Sequence, residues 1–463
     1  MIRRVAAGIG MTAFDKLVIA ATQLALVPIL AAHWGLALYG QWLILATVPQ
    51  FLSMSDFGFA TVAGTRMTMA VARGEPREAV RIFQSAWRAV LASAAVLIVA
   101  LTGIVWLLPD GVFGARPSAA VFDLRLTLSI LVIYGVMAVQ GSIFFAGFRC
   151  AQQFSVGAFW NAMTMLIENA ALVLTVWCGG GIFAAAMAWL LGRMFALAIQ
   201  NLLLRQRVPW LEIGVRRGSW DEARALLRPA GAVMLMPLAQ ALVLQGSALM
   251  IGAAAGQAAV PVFAATRTLS RVGMQLCWVV STPLMPEFST AIARRDRGGM
   301  AAMVLATLLF SALLVVPYGL AFTGWGQTAI ALWTHGAITP PAMLVLAMGA
   351  TIVFGGVWYP LSNLLLASDR QAAYTGWYVA LALASLPMTY GLARLIGVSA
   401  GGLAMVVLDL AMLVVVGRLV SRHLATGNDL RRAVSTLNAV TKSKLRNNRK
   451  IRAPFVSSEV ETL

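Results

Sequence analysis

Two arginines, Arg267 and Arg271, stand four residues apart in a mostly apolar run. On a helix that spacing puts both on one face. They would lie about 14 and 20 Å from the helix's outer end at the helical rise. An ionisable group so deep in a bilayer costs about 2.5–3.5 kcal/mol or more. Like charges sharing a face also repel, so an anion must compensate them. Guanidinium forks match phosphate oxygens two at a time. The chemistry expected is a diphosphate clamp. The competing expectation is pairing with protein carboxylates such as Glu168 or Asp409.

The other intramembrane charges are few. Glu168 and Arg193 lie 12 and 13 residues either side of Gly180, hence at nearly one depth on adjacent antiparallel helices. They form either a structural ion pair or a titratable, proton-coupled one. Asp15 and Lys16 are neighbours and point in different directions. Lys16 would face a cavity and Asp15 an adjoining helix. Asp409 stands alone at mid-depth near the end of the chain's apolar part. Arg267, Arg271, Lys16 and Arg193 are therefore the candidate substrate-binding cations. Asp15, Glu168 and Asp409 are the candidate coupling or ion-pair acids. Cys150, Cys178 and Cys277 are too far apart for a metal or disulfide pattern. Asp110, Asp123, His33 and His335 make no catalytic constellation, so neither an enzyme nor a cofactor site is expected. Trp160, Trp358, Tyr359, Tyr374, Trp377 and Tyr378 suit interfacial anchoring, with sugar stacking as the sharper alternative.

Such charges need a scaffold that keeps them out of lipid. The chain is 60% hydrophobic, only 11% charged, and has a mean hydropathy of +0.83. A soluble core cannot absorb that much apolar surface. Runs of about 20 apolar residues fall at about 11–32, 37–58, 85–108, 125–147, 154–178, 181–204, 228–252, 258–283, 300–322, 339–366, 371–392 and 398–418. Backbone polar groups must be satisfied internally in lipid. The fold class is thus all-α: a polytopic bundle of about twelve transmembrane helices around a central cavity. The start of the chain resembles a signal peptide, but Asp15 and Lys16 interrupt its apolar run, so it reads as an uncleaved first span.

The net charge is +18. Nucleic acid is excluded as a partner because the charges sit in short gaps between apolar runs. With the N-terminus inside, 28 of the 35 Lys and Arg fall on the cytoplasmic side. Both termini are therefore expected in the cytoplasm.

The chain also matches itself at a shift of about 221 residues. Gly35 meets Gly256, Ala70–Glu75 meets Ala291–Asp296, Arg149-Cys150-Ala151 meets Arg370-Gln371-Ala372, and Gly180-Gly181 meets Gly401-Gly402. Two six-helix halves in parallel repeat follow: 1–204 and 228–420, joined by a cytoplasmic linker at 205–227. Residues 421–463 form a basic cytoplasmic tail suited to anionic lipid.

Several of these loops carry a family resemblance. Gly35-(three residues)-Tyr39-Gly40 with Trp42, Ser55-Asp56-Phe57-Gly58, Arg66 and Ala72-Arg73-Gly74-Glu75 mark the first half. Ile251-Gly252-(three residues)-Gly256, Phe263–Arg267 and Pro286-Glu287-Phe288-Ser289 mark the second. Over about 10–420 the chain resembles bacterial O-antigen and exopolysaccharide flippases, within the multidrug/oligosaccharidyl-lipid/polysaccharide exporter superfamily. The resemblance implies a multi-pass inner-membrane exporter. Its substrate would be an undecaprenyl-diphosphate-linked oligosaccharide, and it would work beside polysaccharide polymerase machinery. Family members often carry an acid late in the seventh helix, where this chain reads Gln245-Gly246-Ser247. They often have Tyr where it has Phe263. A cation-coupled multidrug antiporter of the same superfamily would want carboxylates rather than arginines in its lumen. A major-facilitator carrier would carry its Gly-(three residues)-Asp-Arg-(residue)-Gly-Arg-Arg loop where Thr65-Arg66-Met67 stands.

Overall fold

The computed structural model of the chain describes residues 2–54, 58–113, 118–272, 296–368, 370–429, 431–432 and 435. Their regular structure is entirely helical. The helices are α1 (Ile2–Met54), α2 (Phe59–Ala72), α3 (Pro76–Leu107), α4 (Ser118–Cys150), α5 (Phe154–Trp177), α6 (Ile182–Arg207) and α7 (Trp220–Ala241). Then follow α8 (Ser247–Ala255), α9 (259–272), α10 (Arg297–Phe310), α11 (Val316–Trp333), α12 (Ala342–Ala367), α13 (Ala372–Ile396) and α14 (Ser399–His423).

Among the described residues ten helices are long and apolar enough to cross a membrane. The first of them breaks at Gly35, whose φ of 67° and ψ of 171° no helix contains. Dividing it there gives eleven among the described residues, against about twelve expected. Gly256, the repeat partner of Gly35, has the same kind of backbone, with φ 90° and ψ 161°. The positive φ favours glycine at both places. Gly40 serves a different end: a Cβ there would collide with the Gln257 carbonyl, so α1 and the turn before α9 touch backbone to backbone.

Several boundaries differ from the sequence expectation. Residues 59–72, expected as a loop, form α2. Its Ala63, Met67 and Ala70 are almost completely buried, in one apolar cluster with Phe83, Phe148 and Leu204. α3 starts at Pro76 rather than 85, with proline in the first turn, where its missing N–H costs nothing. The span expected at 300–322 continues through a π-turn, Ser311–Val315, to Trp333. Helices that rise beyond the bilayer are not bounded by hydropathy, so apolar runs under-measure them. Ser55–Phe57, Cys277, Pro286–Ser289 and the tail beyond 435 lie outside the described residues.

Packing groups the chain into two compact units. One is Met1–Val272 with Thr323–Met348 and Tyr378–Met405; the other is Gly273–Phe322, Gly349–Trp377 and Val406–Leu463. Each contains a helix with an internal proline whose orphaned carbonyl accepts from a distant donor. In the first, Pro28 has no N–H to offer the Leu24 carbonyl one turn earlier. The Trp333 indole donates to that carbonyl at 2.8 Å. In the second, Pro360 orphans the Gly356 carbonyl, and the Ser311 hydroxyl donates to it at 2.9 Å. In lipid an unpaired carbonyl costs several kcal/mol, so both donors offset the helical bond that the proline removes.

The segment between α6 and α7 is strapped to α3. The Gln84 amide donates to the Glu212 carbonyl at 2.9 Å and accepts from the Arg217 N–H at 2.6 Å. Ser85 accepts from the Ser219 N–H at 2.9 Å, and Arg88 donates to the Gly218 carbonyl at 3.1 Å. Arg81 and Glu222 add an ion pair at 2.9 Å. Gln84 and Ser85 are almost wholly buried, which makes the strap part of the first unit rather than a loose tether. Ser219 then caps α7 by accepting from the Asp221 N–H at 3.2 Å.

Candidate functional site

Arg267 of α9 rests on a locally widened helix. Between α7 and α8 the chain makes a π-turn at Leu242–Gly246. Such turns interrupt the regular bonding ladder. Arg267 Nη1 donates to the Leu244 carbonyl inside this turn. The Arg267 guanidinium carbon also sits 5.1 Å from the Phe263 ring centre, one helical turn earlier on the same face. The buried Tyr39 hydroxyl lies within electrostatic range of Arg267, and so does Arg271 as a like charge. Gln245 of the π-turn bonds Gln50 of α1 through their side-chain amides.

Among the described residues no carboxylate forms an ion pair with Arg267. The two acids that could have neutralised it are occupied. Glu168 is held by Arg193, and Asp409 accepts from the Trp358 indole at 3.0 Å. Arg271, one turn further on, is exposed on α9.

Glu168 and Arg193 meet as their spacing anticipates. The Arg193 Nε pairs with Glu168 Oε1, and Nη2 donates to Oε2 at 3.0 Å. Tyr134 of α4 completes the group. Its hydroxyl donates to Glu168 Oε2 at 3.0 Å and accepts from Arg193 Nη2 at 3.1 Å, while Arg193 lies 5.0 Å from its ring centre. The Trp189 ring stacks on Tyr134 at 5.1 Å, and Trp42 meets Trp189 edge-on at 4.8 Å. Gly192 makes the approach possible, since a Cβ there would stand 3.2 Å from the Glu168 Cα. The Glu168 side chain is only 4% exposed and that of Arg193 16%. Arg193 thus spends its donors inside the protein, on Glu168 and Tyr134.

The remaining candidates scatter. Asp15 lies partly buried on α1, and the Lys16 side chain lies outside the described residues. Trp358, Tyr374 and Tyr378 are buried, whereas Trp377 is exposed. Tyr134, Trp42 and Trp189 were missed as site residues. The one local signal was a phenol amid the apolar run Leu131-Val132-Ile133-Tyr134-Gly135.

The architecture has known counterparts. An inward-facing multidrug resistance MATE family transporter of the MOP superfamily matches with a TM-score of 0.67, over 92% of this chain and 96% of its own, at 14% identity. The lipid II flippase MurJ, in an inward closed conformation, matches with 0.68 over 95% of this chain and 91% of its own, also at 14% identity. A MOP superfamily transporter from Pyrococcus furiosus matches with 0.52 over 90% and 93%, at 13% identity. At these identities the likeness concerns fold alone. No curated protein matches the sequence. The sequence model of a family described as polysaccharide biosynthesis protein matches residues 39–333, well over half of the 463-residue chain. That stretch takes in Tyr39-Gly40, the Glu168–Arg193 pair and both arginines of α9, and by it the chain belongs to the polysaccharide biosynthesis protein family.

Proposed function

We propose that the protein is a flippase that moves an oligosaccharide linked to undecaprenyl diphosphate across a bacterial inner membrane, for O-antigen or exopolysaccharide synthesis. The observation that carries this reading is the α9 face. Arg267 forms no ion pair with a carboxylate among the described residues, and Arg271, one turn on along the same face, is exposed. A diphosphate headgroup would suit this cationic face, and guanidinium forks are shaped for its oxygens. Membership of a polysaccharide biosynthesis family supports a glycan as the cargo. The fold is shared with drug transporters, but organic cations would be repelled by this face.

The test is binding by the purified protein in nanodiscs. Undecaprenyl diphosphate should bind, inorganic pyrophosphate should compete with it, and ethidium should not bind. Binding and export of ethidium with no affinity for undecaprenyl diphosphate would favour the drug–cation reading.

The two-half plan, 1–204 and 228–420, is part of the proposal. The shared backbone of Gly35 and Gly256 supports it. So does the placing of both termini and the 205–227 strap in the cytoplasm, which rests on the Lys and Arg distribution. A cysteine placed at 215 should resist a membrane-impermeant thiol reagent added outside intact cells. Labelling there would overturn the orientation. In this topology the basic tail, 421–463, would be drawn to anionic lipid by about 1 kcal/mol per charge near the surface. Polymerase machinery would take up the flipped product on the far side.

A further inference from the structure

Phe263 is fully buried and lies one turn before Arg267 on the same face of α9. Its ring is fixed from behind. The ring edge fills the space that a side chain at Gly401 of α14 would occupy, since a Cβ there would stand 2.5 Å from the Phe263 Cε2 and 2.6 Å from the Ile251 Cδ1. The Leu244 carbonyl, the other partner of Arg267, is held in a similar way. A Cβ at Gly246 in its π-turn would come within 2.5 Å of Leu386 on α13. Two close packings thus set the ring beneath the guanidinium and the carbonyl beside it. The donors not used by Leu244 are left to point elsewhere.

We propose that Phe263, seated against Gly401, is a positioning residue that holds the Arg267 guanidinium in its ligand-binding orientation. The ring face attracts the cation, and the absence of a side chain at 401 lets the ring sit there. This rests on the anion-binding reading of α9, so the experiment separates the two.

Two readouts are taken on the full chain in nanodiscs. The first needs no ligand: the rate at which phenylglyoxal modifies Arg267, followed by peptide mapping. Phe263→Leu should raise that rate several-fold, and Phe263→Tyr, which keeps a ring, should leave it near the parent value. Gly401→Ala, where it folds, should act like Phe263→Leu. The second is affinity for undecaprenyl diphosphate. Phe263→Leu should weaken it about five-fold, as expected for losing one cation–π contact. It should add nothing in an Arg267→Gln background. An unchanged modification rate in Phe263→Leu overturns the positioning role. So does an equal loss of affinity in both backgrounds, which marks a merely structural ring. Normal affinity in Arg267→Gln overturns the anion-binding reading alone, because the modification rate still decides the positioning role.

Discussion

Glu168→Ala is expected to destabilise the protein by about 3–5 kcal/mol, the cost of leaving one member of a buried ion pair without its partner. The reason lies in what remains. Arg193 cannot shed its proton, and its side chain is 16% exposed, so water relieves little of the charge. Tyr134 would keep its one hydrogen bond to Arg193 but lose its carboxylate acceptor. Arg193→Ala should cost less, since a carboxylate left alone in an apolar setting can take up a proton and still bond Tyr134. The double exchange Glu168→Arg/Arg193→Glu should recover part of the loss. Thermal unfolding in detergent, with the amount of protein in the membrane measured alongside, reads these three and the double variant Glu168→Ala/Arg193→Ala. Alanine losses that sum to that of the double alanine variant would mean that the two side chains do not interact. Full stability of Glu168→Ala would show that the pair is not held in a dry site.

Arg267→Ala/Arg271→Ala should abolish glycan export while the protein stays folded and inserted. Each charge-assisted hydrogen bond to a phosphate contributes about 1.5–3 kcal/mol. Losing at least one from each arginine therefore reduces headgroup affinity by about 100-fold or more. Arg→Lys at either position should rescue poorly, because an ammonium keeps the charge and loses the fork. Lys16, proposed as a single point charge, should tolerate replacement better. Complementation of an export-deficient strain, normalised to membrane level, is the measurement. Export at the parent rate by the double alanine variant would remove the clamp. The two sets of variants separate cleanly: Glu168→Ala lowers the amount of protein, whereas the α9 variants lower the activity of each molecule.

The proline-containing helices place a condition on both experiments. Trp333 and Leu24, like Ser311 and Gly356, are far apart in the chain and meet only when the bundle is assembled. Loss of a buried charge should therefore be felt beyond α5 and α6. A drop in stability alone does not identify a substrate-binding residue, and the α9 variants need an affinity readout for that reason.

The sequence by itself determined what the bilayer enforces locally. Lipid offers no hydrogen bonds, so each long apolar run had to be a helix. The Lys and Arg of the short loops carry the expectation for orientation. Gly35 and Gly256 were visible as breaks because glycine alone pays no steric penalty at positive φ. The equal depth of Glu168 and Arg193 was visible because a short turn at Gly180 sets two helices in register. Sequence also exposed deficits: an Arg267 with no nearby acid, a Pro28 without an N–H. Who fills a deficit is a matter of which helices pack side by side, and periodicity within one helix carries no record of its neighbours. Only the tertiary structure decided that Tyr134 joins the ion pair, that Trp333 serves the Leu24 carbonyl, and that Gln84 straps down the linker. It also decided that Phe263, backed by the bare backbone of Gly401, lies under Arg267. α2 escaped the sequence for a related reason. Its helix is stabilised by burying Ala63, Met67 and Ala70 against other helices, and its 14 residues fall short of the run of about 20 apolar residues that marks a span.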